Sequence, residues 1–140
     1  MKQFYVLLAV FLVGCSSDDG NDDTSTESDF ALGEWKSYQT INQNGTFPTD
    51  ECNFETFFFF DDLSGSYSLT TGMLVNGDCQ TGSGGFGFDY EYSSNSTFKI
   101  FISVIDVYQG RIENNELILN PIDGDTQEVD NSTSIFLQKQ

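Results

Sequence analysis

The chain has no histidine, and it sets only five lysines and arginines against 22 acidic residues, for a formal net charge of −17. The first absence removes the imidazole base, so neither a Ser-His-Asp nor a Cys-His nucleophile arrangement can be assembled. It also leaves a transition-metal site almost without ligands, because three cysteines are too few to supply one. The shortage of cations argues against nucleic acid and anionic lipid headgroups as partners, since so acidic a surface repels phosphate. The same charge favours solubility outside a cell. Carboxylates are plentiful, but acid–base work needs two held at a defined separation inside a cleft. The strand pattern puts most of them on turns or outward faces, so no catalytic residue, metal ligand or cofactor is expected and the chain reads as a non-enzyme. Asp123-Gly124-Asp125-Thr126-Gln127-Glu128 offers oxygens of the kind calcium takes. It has no glycine at the sixth place of an EF-hand loop and Ser134 at the twelfth, so it reads as a polar hairpin loop. Long apolar runs are missing too: the ten residues from Phe4 to Val13 fall short of the about 20 that span a bilayer.

That short run follows a single Lys2, the layout of a secretory signal peptide. It leads into Leu12-Val13-Gly14-Cys15, which resembles the lipobox of bacterial lipoproteins. The resemblance implies cleavage before Cys15 and a diacylglyceryl group on its thiol, with residues 1–14 as the signal peptide. Residues 16–29 contain six carboxylates and no apolar side chain. A lipidated, self-repelling, extended tether over residues 15–29 is therefore expected. Its Ser17-Asp18-Asp19 beginning resembles the acidic export signal of surface-exposed lipoproteins of the Bacteroidota. The implied location is the cell outer membrane, held by the lipid, with display on the outer face. With Cys15 taken by lipidation, Cys52 and Cys79 remain as a pair in a protein that leaves the reducing cytosol. Their disulfide is expected to stabilise the fold by about 3–4 kcal/mol.

From Phe30 onward, aromatic and β-branched residues are cut by glycine and asparagine turns, with no helical periodicity. Eight short strands are expected: about Glu34 to Ile41, Cys52 to Phe60, Ser66 to Val75, Phe86 to Tyr92, Thr97 to Val104, Asp106 to Glu113, Glu116 to Asn120 and Thr133 to Lys139. A glycine-rich loop from Asn76 to Gly85 separates the third and fourth, and Asn114-Asn115 forms a two-residue hairpin turn. Residues 30–140 thus read as one all-β domain, a small antiparallel eight-stranded up-and-down barrel, with a β-sandwich as the alternative. In the run Phe57-Phe58-Phe59-Phe60, alternation puts Phe58 and Phe60 on the face of Phe54 and the other two opposite. One pair is core; the other is covered, lines a cavity, or forms an exposed apolar patch.

Leu32-Gly33-Glu34-Trp35 resembles the Gly-x-Trp opening of the lipocalins, in which Gly33 and Trp35 would be structural and the Trp would pack at the closed end of the barrel. The wider layout of tether, paired cysteines and the late hairpin from Gly110 to Leu119 is similar to lipocalin-like lipoproteins of the Bacteroidota. The resemblance implies a binding domain for a small apolar or aromatic ligand. On the fourth strand Phe86, Phe88, Tyr90 and Tyr92 share a face, and a buried phenol can orient a ligand in an apolar pocket. Phe88, Tyr90 and Tyr92, with Tyr67 from the third strand, are the expected ligand-binding residues. The rival reading is a filled barrel that holds a protein or glycan partner through its acidic or Phe-rich exterior.

Overall fold

A computed structural model describes residues 30–94 and 96–140. The signal peptide, Cys15 and the tether lie outside the described residues. Nine strands follow in order: β1 (Gly33–Asn42), β2 (Gly45–Pro48), β3 (Phe54–Phe59), β4 (Ser64–Val75), β5 (Asp78–Ser94), β6 (Thr97–Ile102), β7 (Ile105–Glu113), β8 (Glu116–Pro121) and β9 (Ser134–Lys139). Each pairs antiparallel with its neighbours in one sheet, and β1 pairs with β9 from Trp35↔Lys139 to Ile41↔Ser134. That last pairing closes an eight-stranded barrel from β1 and β3 to β9, and closure excludes the sandwich. β2 is an extra strand, hydrogen-bonded to the second half of β1 along the edge whose first half carries β3.

Alternation decides what fills the interior. Phe57, Phe59, Phe88, Tyr90, Phe98, Ile100, Leu117, Leu119, Ile135 and Leu137 are buried in a single core. Two close approaches let large rings fit. A Cβ on Gly65 would fall 2.2 Å from the Phe88 ring, and one on Gly110 would fall 2.5 Å from the Phe98 ring. These bare positions opposite bulky aromatics give the interior its close packing. One end is shut by the segment entering β1. Trp35, only 2 % exposed, donates its indole N–H to the Ala31 carbonyl at 2.7 Å, and Phe30 packs edge-on to Tyr92 at 4.7 Å.

The structure moves several of the expected strand limits and adds a short strand. The expected glycine-rich loop from Asn76 to Gly85 is strand: the turn is only Asn76-Gly77, and β5 runs on from Asp78 in full register with β4. Both turn residues have positive φ, 54° and 89°, the backbone that a tight two-residue hairpin turn requires. The expected strand from Cys52 begins at Phe54, after a turn, while the short β2 occupies what read as connection. The Asn114-Asn115 turn stands as expected, with φ of 52° and 66°.

Candidate functional site

Away from the end that Phe30 and Tyr92 close, inward residues of β3, β4 and β5 form successive rows. Phe59, Gly65 and Phe88 make one row; Phe57, Tyr67 and Phe86 make the next; Glu55, Leu69 and Gly84 make the third. The second row is a floor. Phe57 touches the ring of Tyr67 at 4.9 Å and that of Tyr108 at 5.8 Å, and Tyr67 stacks on Phe86 at 4.6 Å. Because β7 lies diametrically across the barrel from β3, the Phe57–Tyr108 contact spans the interior. Below this level the barrel is filled by aromatic rings.

Above the floor the character changes. Leu69 and Phe86 are each 40 % exposed, and a Cβ placed on Gly84 would meet no atom within 4 Å. The mouth therefore has room where its three-strand row reaches β5. The same strand alternation that buries Phe57 and Phe59 also turns Glu55 inward. Its backbone N–H donates to the Ser37 hydroxyl at 2.8 Å, yet its side-chain Oε2 is buried and has no hydrogen-bond partner among the described residues. A buried, unsatisfied carboxyl oxygen is costly. Burial accordingly pushes the Glu55 carboxyl above the usual carboxylate range. Two phenols sense it. Burial and then the charge of Glu55 push Tyr108 up to about 12, and burial, Glu55 and Tyr108 raise Tyr67 further. The convergence of one carboxyl and two tyrosines above an aromatic floor is the candidate site.

The four expected ligand-binding residues are divided by this geometry. Tyr67 lies in the floor of the mouth. Phe88 and Tyr90 are 4 % and 1 % exposed and belong to the packed interior, where the Tyr90 hydroxyl donates to the Phe60 carbonyl. Tyr92 is at the closed end against Phe30 and Phe98. Glu55 and Tyr108 were not singled out from sequence. Extending the Phe57/Phe59 alternation back by two residues would have placed Glu55 on the core face, and a carboxylate there is the signal.

The chain has no match among protein-family models, curated proteins or solved structures. Its geometry therefore carries the reading. The Cys52–Cys79 disulfide is present, with Cα atoms 5.3 Å apart, and joins the turn before β3 to the start of β5. Beside it the Asn53 side chain accepts from Gly72 N at 3.1 Å and donates to Gly72 O at 3.3 Å. Bridge and amide together fix the long β4–β5 hairpin, whose residues beyond Thr70 and before Asp89 have no partner on β3 or β6. A pocket of about 270 Å³, lined by Asp50, Cys52, Asn53, Gly72 and Leu74, lies along this seam. Outside the barrel, Phe58 and Phe60 form an exposed pair with ring centroids 5.0 Å apart. Asp123 is used locally: its carboxylate accepts from the N–H groups of Asp125 and Thr126, capping the turn.

Proposed function

We propose that this domain is the binding module of a lipid-anchored outer-membrane protein, displayed at the cell surface, and that it takes a small apolar or aromatic ligand at the barrel mouth. The observation that carries the reading is the buried, unpartnered Glu55 oxygen set between Tyr67 and Tyr108 over Phe57 and Phe86. Apolar walls with a few convergent polar groups are the usual make-up of a small-molecule site. The ligand sits shallowly, on the Phe57–Tyr67–Phe86 floor, because the space below is occupied by rings. The first described residue, Phe30, lies at the closed end. A tether on Cys15 would thus join the barrel at the end away from the mouth.

Thermal-shift measurements against fatty acids, aromatic metabolites and glycans test the binding reading. Stabilisation by one class that is lost in Tyr67→Ala, with the fold intact, is the expected result. No stabilisation by any class refutes it. For the anchor, the wild type is expected to incorporate labelled palmitate and fractionate with membranes, and Cys15→Ser to do neither.

A second reading rests on the outer surface. The exposed Phe58–Phe60 pair, on a barrel whose lower half is filled, suits an interaction protein that holds a partner by its exterior. Replacing both with serine would then abolish partner capture while leaving ligand-induced stabilisation untouched.

A further inference from the structure

We propose that the mouth recognises a small organic monocation: an amine whose ammonium docks on Glu55 and whose apolar or aromatic body lies on the Phe57–Tyr67–Phe86 floor. The inference rests on the mouth-binding reading and names its ligand chemistry.

Three observations converge on a cation. First, Glu55 Oε2 is buried without a donor, so a bound N–H would satisfy an oxygen that the protein itself leaves unsatisfied. Second, no cationic side chain of the domain is committed to Glu55. Lys36 lies over the Phe54 ring at 3.6 Å, Lys99 pairs with Asp106 at 2.7 Å, Arg111 pairs with Glu113 at 2.9 Å, and Lys139 lies near the Trp35 ring at 5.7 Å. Third, the groups facing Glu55 are the aromatic residues Tyr67 from β4 and Tyr108 from β7, with the Ser37 hydroxyl from β1 on its backbone side. Aromatic faces attract cations, and they do so more strongly where water is excluded. A neutral hydroxyl could also donate to the Glu55 oxygen, but it would gain neither the ion pair nor the cation–aromatic attraction.

The wider charge distribution acts in the same direction. Residues 30–140 carry 16 acidic side chains against four basic ones, a net charge of −12, and the resulting field draws cations toward the domain and repels anions. A carboxylate-bearing ligand such as a fatty acid would meet Glu55 as a like charge. In the empty site burial favours the protonated carboxyl. An ammonium at hydrogen-bond distance favours the ionised form, so amine binding should draw the Glu55 titration to lower pH.

The experiment compares three probes that share a phenylethyl body, phenethylamine, 2-phenylethanol and 3-phenylpropionate, titrated calorimetrically against the wild type and Glu55→Gln. The amine should bind at least about tenfold more tightly than the alcohol, the advantage of one charge-assisted contact, and the acid should bind worst. In Glu55→Gln the amine should lose its advantage and fall to the level of the alcohol. A wild-type readout stands beside the variant: the Glu55 carboxyl carbon, followed by NMR, should titrate at lower pH with the amine and not with the alcohol. Equal binding of amine and alcohol, with Glu55 unmoved, overturns the amine proposal while leaving mouth binding intact. Absence of binding by all three probes at millimolar concentration also overturns it. Failure of the broader ligand panel as well would remove the mouth-binding reading.

Discussion

Replacing both Cys52 and Cys79 with serine should lower the stability of the domain by about 3.5 kcal/mol. The bridge spans a sequence separation of 27 residues, and the chain-entropy relation for a loop of that length gives about this value at 25 °C. The native state has little reason to relax when the bridge is lost. Asn53 still clasps Gly72 through two hydrogen bonds, and β4 and β5 remain paired from Ser64↔Asp89 to Val75↔Asp78. The effect should therefore reside in the unfolded chain, which gains freedom. For a domain of this size each kcal/mol moves Tm by roughly 4–8 °C, so a fall of roughly 14–28 °C is expected. Urea denaturation of the oxidised protein and the double variant separates the two causes. An unfolded-state effect raises the m-value, because the unlinked chain exposes more surface. A Tm within about 5 °C of the wild type, with m unchanged, would refute the entropic reasoning.

Other perturbations test separate parts of the structure. Gly110→Ala drives a methyl into the Phe98 ring and should cost about 1–3 kcal/mol in chemical denaturation. Asn120, 4 % exposed, accepts from Arg111 and donates to Thr133 O and Ser134 Oγ, so Asn120→Ala should cost about 1–3 kcal/mol through the partners left unsatisfied. Glu55 has a folded pKa raised above its unfolded value, so between the two values the folded state binds more protons. Its penalty is absent at low pH and grows as pH rises through that window. Glu55→Gln should accordingly be more stable than the wild type at neutral pH, with the difference fading in acid; equal stability across the range would contradict this. Asp50, Asp62, Asp123 and Asp130 behave oppositely. Their carboxyls are held below the usual range chiefly by the hydrogen bonds they accept in turns, so their contribution is present at neutral pH and lost as pH falls through the lowered values. Thermal scans of Asp123→Asn and the wild type between neutral and acid pH should converge at the acid end.

The fold was largely legible because the barrel is written in period-two alternation and turn chemistry, both local. The split of Phe57 and Phe59 from Phe58 and Phe60 onto opposite faces and the Asn114-Asn115 turn follow from single strands; which pair is core does not, and the closed barrel buries Phe57 and Phe59. Gly82, Gly84 and Gly85 read as loop by composition, whereas the Asn76-Gly77 pair is itself a strong hairpin signal. Register with β4 makes that stretch a strand, and register is a property of two strands that no single one reveals. The same limit applies to the site. The row of Phe88, Tyr90 and Tyr92 was visible as a shared face, but whether that face lines a void depends on what arrives from across the barrel. Phe57 and Tyr108 meet there, from strands about fifty residues apart in sequence. Tyr67 stands at the mouth because the rows of β3, β4 and β5 rise past that contact.

The most direct measurement is an aromatic NMR titration of the wild type with a phenyl-bearing amine. Binding at the mouth predicts that the ring signals of Tyr67, Phe86 and Tyr108 shift together and saturably, while Phe30 and Tyr92 at the closed end stay in place. Shifts centred on Phe58 and Phe60, or on Trp35 and Phe98, would place the ligand elsewhere and contradict the mouth as the binding site.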